Sequence, residues 1–348
     1  MIEIGIGLDQ GLGLTFPEQR DVVRLAAQLG YASAWTPAGL ARDAFHICAQ
    51  WSTQTTDLVP DGIRTGISVV PAAMWSVPVL AATAATVGDL TNNRFVLGIG
   101  AGSAFYKDAQ RNIGLPAYKP IPLMRDYLLA LHQLLSGHRV EYDGAIVHLH
   151  GVQLGFRPPL VPIYLAALGP KMLKLAGELA DGVALNWCTP EQVAWSRARV
   201  AEGAQQASRA PSQVRVIEYI RICVDDDEDV ARRAFTRAVM GYAIARSGQS
   251  KELGYRAHFA RMGFDEALTE LEARRDHGAS ELELIDLFPR ELLSKVGYFG
   301  PASGAAAAFK SLAQGLDIAI VRVVAARPGL DSITAVLNAC RPGLTSGA

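Results

Sequence analysis

The sequence predicts a single α/β domain over residues 1–348, a (β/α)8 TIM barrel with insertions. Three observations predict it. Strand-like and helix-like segments alternate almost from end to end. Eight of the strand-like runs are short and apolar. At 348 residues, half of them hydrophobic, the chain suits one barrel and is short for three ordinary domains. Apolar strands alternating with helices imply a parallel sheet covered on both faces, and eight such units favour a closed barrel over an open sheet.

The elements follow in order. Residues 2–8 read as a strand, 17–29 as a helix opening on Pro17, 31–36 as a strand and 43–55 as a helix. Residues 63–70 are β-branched, 78–90 Ala-rich and helical, 94–99 an apolar strand running into glycines, and 124–135 helical. Residues 140–149 alternate like a hairpin insertion. The rhythm resumes with strands at 163–167, 183–186 and 214–224, helices at 170–180 and 191–207, then a last strand at 318–324 and a closing helix at 331–339. Residues 225–300 read as several helices inserted over one mouth of the barrel, and 343–348 as a frayed tail.

Charge is nearly balanced, 33 basic residues against 34 acidic, with no basic stripe, which argues against a nucleic-acid partner. No apolar run makes a convincing membrane span, and the N-terminus has no basic region or cleavage site, so a cytoplasmic location is expected. Cys48, Cys188, Cys223 and Cys340 lie far apart, indicating packed, reduced thiols and no zinc or disulfide framework. His148 and His150 share a face but have no evident third ligand, so no metal site is expected. The acidic run at 225–229 reads as a helix start and lacks the glycine of a calcium loop.

Three stretches can carry chemistry. Arg94-Phe-Val-Leu-Gly-Ile-Gly-Ala-Gly102 is a strand ending in glycines that let backbone approach a ligand, or simply turn; it lacks the third glycine of a dinucleotide fingerprint, where Ser103 stands. Residues 164–186 hold a strand, Gly169 as cap, Pro170 at the first helical position, and Met172, Leu175, Ala176 and Leu179 on one face. Lys171 in that first turn opposes the helix dipole unless an anion sits on the exposed N–H groups; a phosphate would resolve the conflict, and a solvated surface lysine is the alternative. Arg64-Thr-Gly-Ile-Ser-Val-Val-Pro71 has Gly66 inside a strand, a mark of a bulge or a close neighbour.

Together these stretches resemble the luciferase-like monooxygenase superfamily, especially its F420-dependent branch, which includes methylenetetrahydromethanopterin reductase. The resemblance covers nearly the whole chain. Its most specific segment is Ala166-Ala-Leu-Gly-Pro-Lys-Met172 with Ala180-Asp-Gly182, supported by Gly30-Tyr-Ala-Ser-Ala-Trp35, Asn93-Arg-Phe-Val-Leu-Gly-Ile-Gly100 and Leu316-Asp-Ile-Ala-Ile-Val-Arg322. It implies a bacterial-luciferase-like barrel with coenzyme F420, or FMN as the alternative, at its C-terminal mouth, and a homodimer. It implies a non-proline cis peptide near Ile67–Ser68 against which the cofactor ring leans. It also implies a lining from Gly100, Ala101, Gly102 and Ser103, a phosphate site at Ala167, Leu168, Gly169, Pro170 and Lys171, and Asn186 and Trp187 near the same mouth. Trp35 and Arg42, around the end of strand two, are the substrate candidates. Many relatives carry an acidic residue or a Glu-His pair after that strand; this chain has Thr36-Pro-Ala-Gly39.

The implied reaction is hydride transfer between C5 of the deazaflavin and a small organic substrate, with Asp9 and Asp43 as candidate acid or base. The rival functions are an FMN-dependent monooxygenase of the same fold, a non-catalytic flavin-binding barrel, and an aldolase working through an imine on Lys171.

Overall fold

The computed structural model describes residues 2–102, 114–246 and 249–345. Eight parallel strands close on themselves: β1 (Glu3–Gly7), β2 (Ser33–Thr36), β3 (Arg64–Pro71), β4 (Phe95–Gly100), β7 (Ile163–Ala166), β8 (Gly182–Asn186), β9 (Arg215–Val224) and β11 (Ile318–Val323). Closure comes from β9, which pairs with β8 along Arg215–Tyr219 and with β11 along Ile217–Ile222. These are the eight strands the hydrophobic pattern predicts. β5 (Val140–Asp143) and β6 (His148–Val152) form the expected antiparallel hairpin outside the barrel.

Successive residues of a strand face opposite ways, and the sequence uses that alternation to build two cores. Outward-facing residues such as Ile6, Ile67, Leu97, Leu165 and Val321 join the helices in the main cluster. Trp35, Val96, Tyr164, Ala184, Ile217, Tyr219, Ile318 and Ile320 fill the barrel interior. Trp35 therefore belongs to the core, fully buried, its indole N–H donating to Ser33 Oγ at 2.9 Å. That corrects its assignment to the substrate. Two glycines make room for its ring: a Cβ at Gly66 would stand 2.3 Å from Cζ3, and one at Gly5 would stand 3.0 Å from Nε1. The close neighbour signalled by Gly66 is this indole, not a ligand.

Residues 225–300 contain helices Glu228–Ala243, Gly254–Phe259, Asp265–Asp276, Glu281–Leu287 and Arg290–Val296. The acidic run starts the first of them, with Asp227 accepting from the amides of Asp229 and Val230. The stretch also holds a short strand that the sequence pattern misses, β10 (Gly297–Gly300), paired with the end of β9. Trp187, Phe235, Phe259, Leu268 and Leu292 belong to a third cluster that packs these helices together. Residues 343–345 of the expected frayed tail are instead helical, within Pro342–Thr345. Among the described residues no helix is long and apolar enough to cross a membrane.

Candidate active site

A cavity of about 750 Å³ opens at the C-terminal ends of the barrel strands. One wall is low and smooth: Ser68 and Val69 of β3, Ala101 and Gly102 after β4, and Ala166 of β7. The peptide between Ser68 and Val69 is cis. This places the cis bond one residue beyond the position expected, and Ile67, fully buried, points away into the main core. Glycines shape this wall by fitting β4 against β3. A Cβ at Gly98 would stand 2.2 Å from the Ile67 carbonyl oxygen, and one at Gly100 would meet Val69 Cγ2 at 2.9 Å and Ala166 Cβ at 3.0 Å. Gly100 thus packs strand on strand, and only the residues after it reach the cavity. Ser103 lies outside the described residues.

The second wall is the start of helix Pro170–Leu179. Ala167, Leu168, Gly169 and Pro170 line the cavity. The cap, Gly169, offers no side-chain hydrogen bond, and Pro170 has no N–H. The first helical bond runs from the Leu173 amide to the Gly169 carbonyl, so among the described residues the amides of Lys171 and Met172 are free donors at this end. Among the described residues nothing lies within 4 Å of a Cβ built on Gly169, so they leave the helix end open. The Lys171 side chain is exposed and outside the lining, so only its backbone amide can take part in the expected phosphate site, and the geometry an imine-forming lysine needs is missing. The nearby cation is Arg261, which lines the cavity and donates to the Leu168 carbonyl at 3.2 Å.

The floor and the far side are polar. Asn186 lines the cavity, donates to Tyr255 Oη at 2.7 Å and accepts from Arg221 at 2.6 Å. Trp187 does not line it: fully buried behind Asn186, it carries the Arg221 guanidinium 3.6 Å from its ring centroid. Tyr219, Tyr242 and Tyr255 complete this side, the last two from the helices beyond β9. His258 sits one layer back, its Nε2 2.8 Å from the Trp187 carbonyl, and burial pushes its imidazole down to about 4.

The two acid–base candidates are elsewhere engaged. Burial acts to raise the Asp9 carboxyl, but Arg322 beside it and the Gly11 amide outweigh that and hold it below the usual carboxylate range. Asp9 is thus engaged as the ion-pair partner of Arg322. Asp43 caps helix Ala44–Thr53, accepting from the His46 amide at 2.8 Å, and is exposed. Arg42 is exposed too, bonded to the Leu14 carbonyl and lying 5.0 Å from the Phe16 ring centroid, away from the lining. Sequence reasoning missed Tyr219, Arg221, Tyr255, Arg261 and Arg322. The available signal was a charged residue inside a buried strand: Arg322, alone among apolar residues in β11, and Arg221 with Glu218 in β9.

The sequence model of the luciferase-like monooxygenase family matches residues 1–317. The chain belongs to this family. Among luciferase-like relatives, the 5,10-methylenetetrahydromethanopterin reductase of Archaeoglobus fulgidus is 33% identical over 228 residues, 65% of either chain. The F420-dependent glucose-6-phosphate dehydrogenase of Mycobacterium tuberculosis is 33% identical over 172 residues, 48% of this chain and 51% of that one. The chain thus spans just under two thirds of the first relative and about half of the second. The solved coenzyme F420-dependent tetrahydromethanopterin reductase of Methanopyrus kandleri superposes with a TM-score of 0.78 at 21% identity, over 98% of both chains, so the two share a fold.

Proposed function

We propose that this chain is an oxidoreductase that uses coenzyme F420 to move a hydride to or from a small organic substrate. One observation carries the proposal: an uncapped helix end with two free amides opens into the same cavity as a smooth wall of small side chains. The names of the two relatives point to the same cofactor.

The residues present fit such a group. The open space at Gly169, the free amides of Lys171 and Met172, and Arg261 suit the anionic tail, since a helix N-terminus is a ready anion site. Ser68, Val69, Ala101, Gly102 and Ala166 leave a low surface for a flat ring. When bound, the deazaflavin supplies a carbon that gives or accepts a hydride. The protein supplies position and dryness: Val69, Leu185, Tyr242 and Tyr255 surround the reacting space and exclude water, while bonds from Tyr255 and Arg221 hold the Asn186 amide in one orientation. The helices of residues 228–259 close one side of the cavity and would act as its cover.

Absorbance and fluorescence titration of the purified chain with F420 and with FMN tests this. Saturable F420 binding that FMN does not displace is expected. Tight FMN binding with no affinity for F420 would replace the proposal with the monooxygenase alternative.

A further inference from the structure

Arg221 and Arg322 stand opposite each other in register on β9 and β11, 5% and 4% exposed. They share one carboxylate, Asp9, and Arg322 takes it. Arg221 Nη1 donates to Asn186 Oδ1 at 2.6 Å and to the Tyr219 carbonyl at 3.4 Å, and its guanidinium lies against the rings of Trp187 and Tyr242. Its Nε and Nη2 make no hydrogen bond, and the group forms no ion pair, among the described residues. Glu218, three residues back along β9, attracts Arg221 through space but does not bond it: it faces the other side of the strand and accepts from the Cys188 amide, and burial pushes its carboxyl up to about 8. Asp9 and Glu218 act on Arg221 only from a distance, and a buried cation whose direct contacts are neutral is a standing cost to the fold. Among the described residues Arg322 Nη1, which can only donate, and Tyr219 Oη, which can donate, are also buried without a partner. Asn186, Tyr219 and Tyr242, which Arg221 touches, all line the cavity. The floor therefore holds surplus positive charge and surplus donors, and what satisfies both is an anionic oxygen group from a ligand.

We propose that the substrate is a small organic acid whose carboxylate docks on the cavity floor among Asn186, Tyr219 and Tyr242, drawn by Arg221 directly behind them, with its reacting carbon turned toward the Ser68–Val69 wall. Giving this anion to the substrate rests on the cofactor's phosphate being held at Gly169, across the cavity.

The test uses the whole purified chain, with benzoate as the anionic probe and benzamide as its neutral counterpart, by calorimetry and tryptophan emission. Benzoate is expected to bind roughly tenfold or more tighter than benzamide, and Arg221→Met to lose that preference. Thermal melting separates binding from scaffolding: an unmatched buried cation leaves Arg221→Met as stable as the parent or more so. Equal binding of the two probes, undiminished benzoate binding by Arg221→Met, or a melting temperature lowered by several degrees in that variant overturns the proposal. Displacement of benzoate by F420 would give the anion site to the cofactor and overturn it too. If F420 fails to bind while the benzoate results hold, the cofactor assignment falls and the carboxylate site stands.

Discussion

Replacing Gly169 with aspartate sets helix stability against cofactor affinity. Gly169 has φ −95° and ψ 153°, a backbone any residue adopts, and a Cβ there meets nothing within 4 Å. The new carboxylate can accept from the free amides that glycine leaves uncapped. Aspartate at such a cap gains a few tenths of a kcal/mol over glycine, and its charge at the helix start adds about 0.3–1 kcal/mol. The variant should therefore be more stable by about 0.5–1 kcal/mol, a rise of roughly 1–2 °C in a chain of this size. The same carboxylate occupies the place proposed for the cofactor's phosphate. Two like charges about 4 Å apart at a protein surface repel by up to ~4 kcal/mol, and screening at this half-exposed position reduces that to about 1.5–3 kcal/mol. F420 affinity, read by fluorescence titration, should fall about tenfold to a hundredfold while the melting temperature rises. Unchanged affinity in a folded, stabilised Gly169→Asp protein would refute the placement of the anion at this helix start.

Three further outcomes follow from the barrel and its surroundings. Gly66→Ala forces a methyl to within 2.3 Å of the buried Trp35 ring, so overpacking should cost about 1–3 kcal/mol, a fall of roughly 2–6 °C by calorimetry. Burial pushes Glu218 up to about 8, above an unfolded value near ~4.3, so its contribution to stability is complete below pH ~4.3 and is lost as pH rises toward 8. Glu218→Gln keeps an oxygen for the Cys188 amide and removes that loss, so its melting-temperature advantage over the parent should grow across this window; a constant difference would contradict it. Asp43→Ala should cost about 0.5–2 kcal/mol through the lost helix cap and leave the pH profile of turnover unaltered, since Asp43 is outside the cavity.

The eight barrel strands were legible because each is a run of apolar residues bounded by glycine, proline or a helix start, and a strand buried on both faces needs that run whatever its neighbours. β10 escaped because Gly297-Tyr-Phe-Gly300 is four residues long, pairs only with the end of β9, and takes its shape from packing: a Cβ at Gly297 would stand 2.4 Å from Phe235. The helix start at Gly169 was legible because a strand end, a glycine and a proline act locally. Between the two readings of Lys171 the sequence could not choose, since the direction of its side chain depends on which face of the helix the barrel covers. Trp35 was misread because an indole at a strand end serves a core or a ligand equally well, and the neighbours that decide are Gly5 and Gly66, distant in sequence. The cluster at and behind the floor was illegible because Tyr219 and Arg221 of β9, Arg322 of β11 and Asp9 after β1 meet only when the barrel closes.

A crystal structure of the chain soaked with F420 tests the central claim most directly. The account predicts phosphate oxygens within hydrogen-bonding distance of the Lys171 and Met172 amides, with the ring against Ser68–Val69. A phosphate bound anywhere else, with those two amides facing only solvent, would contradict it.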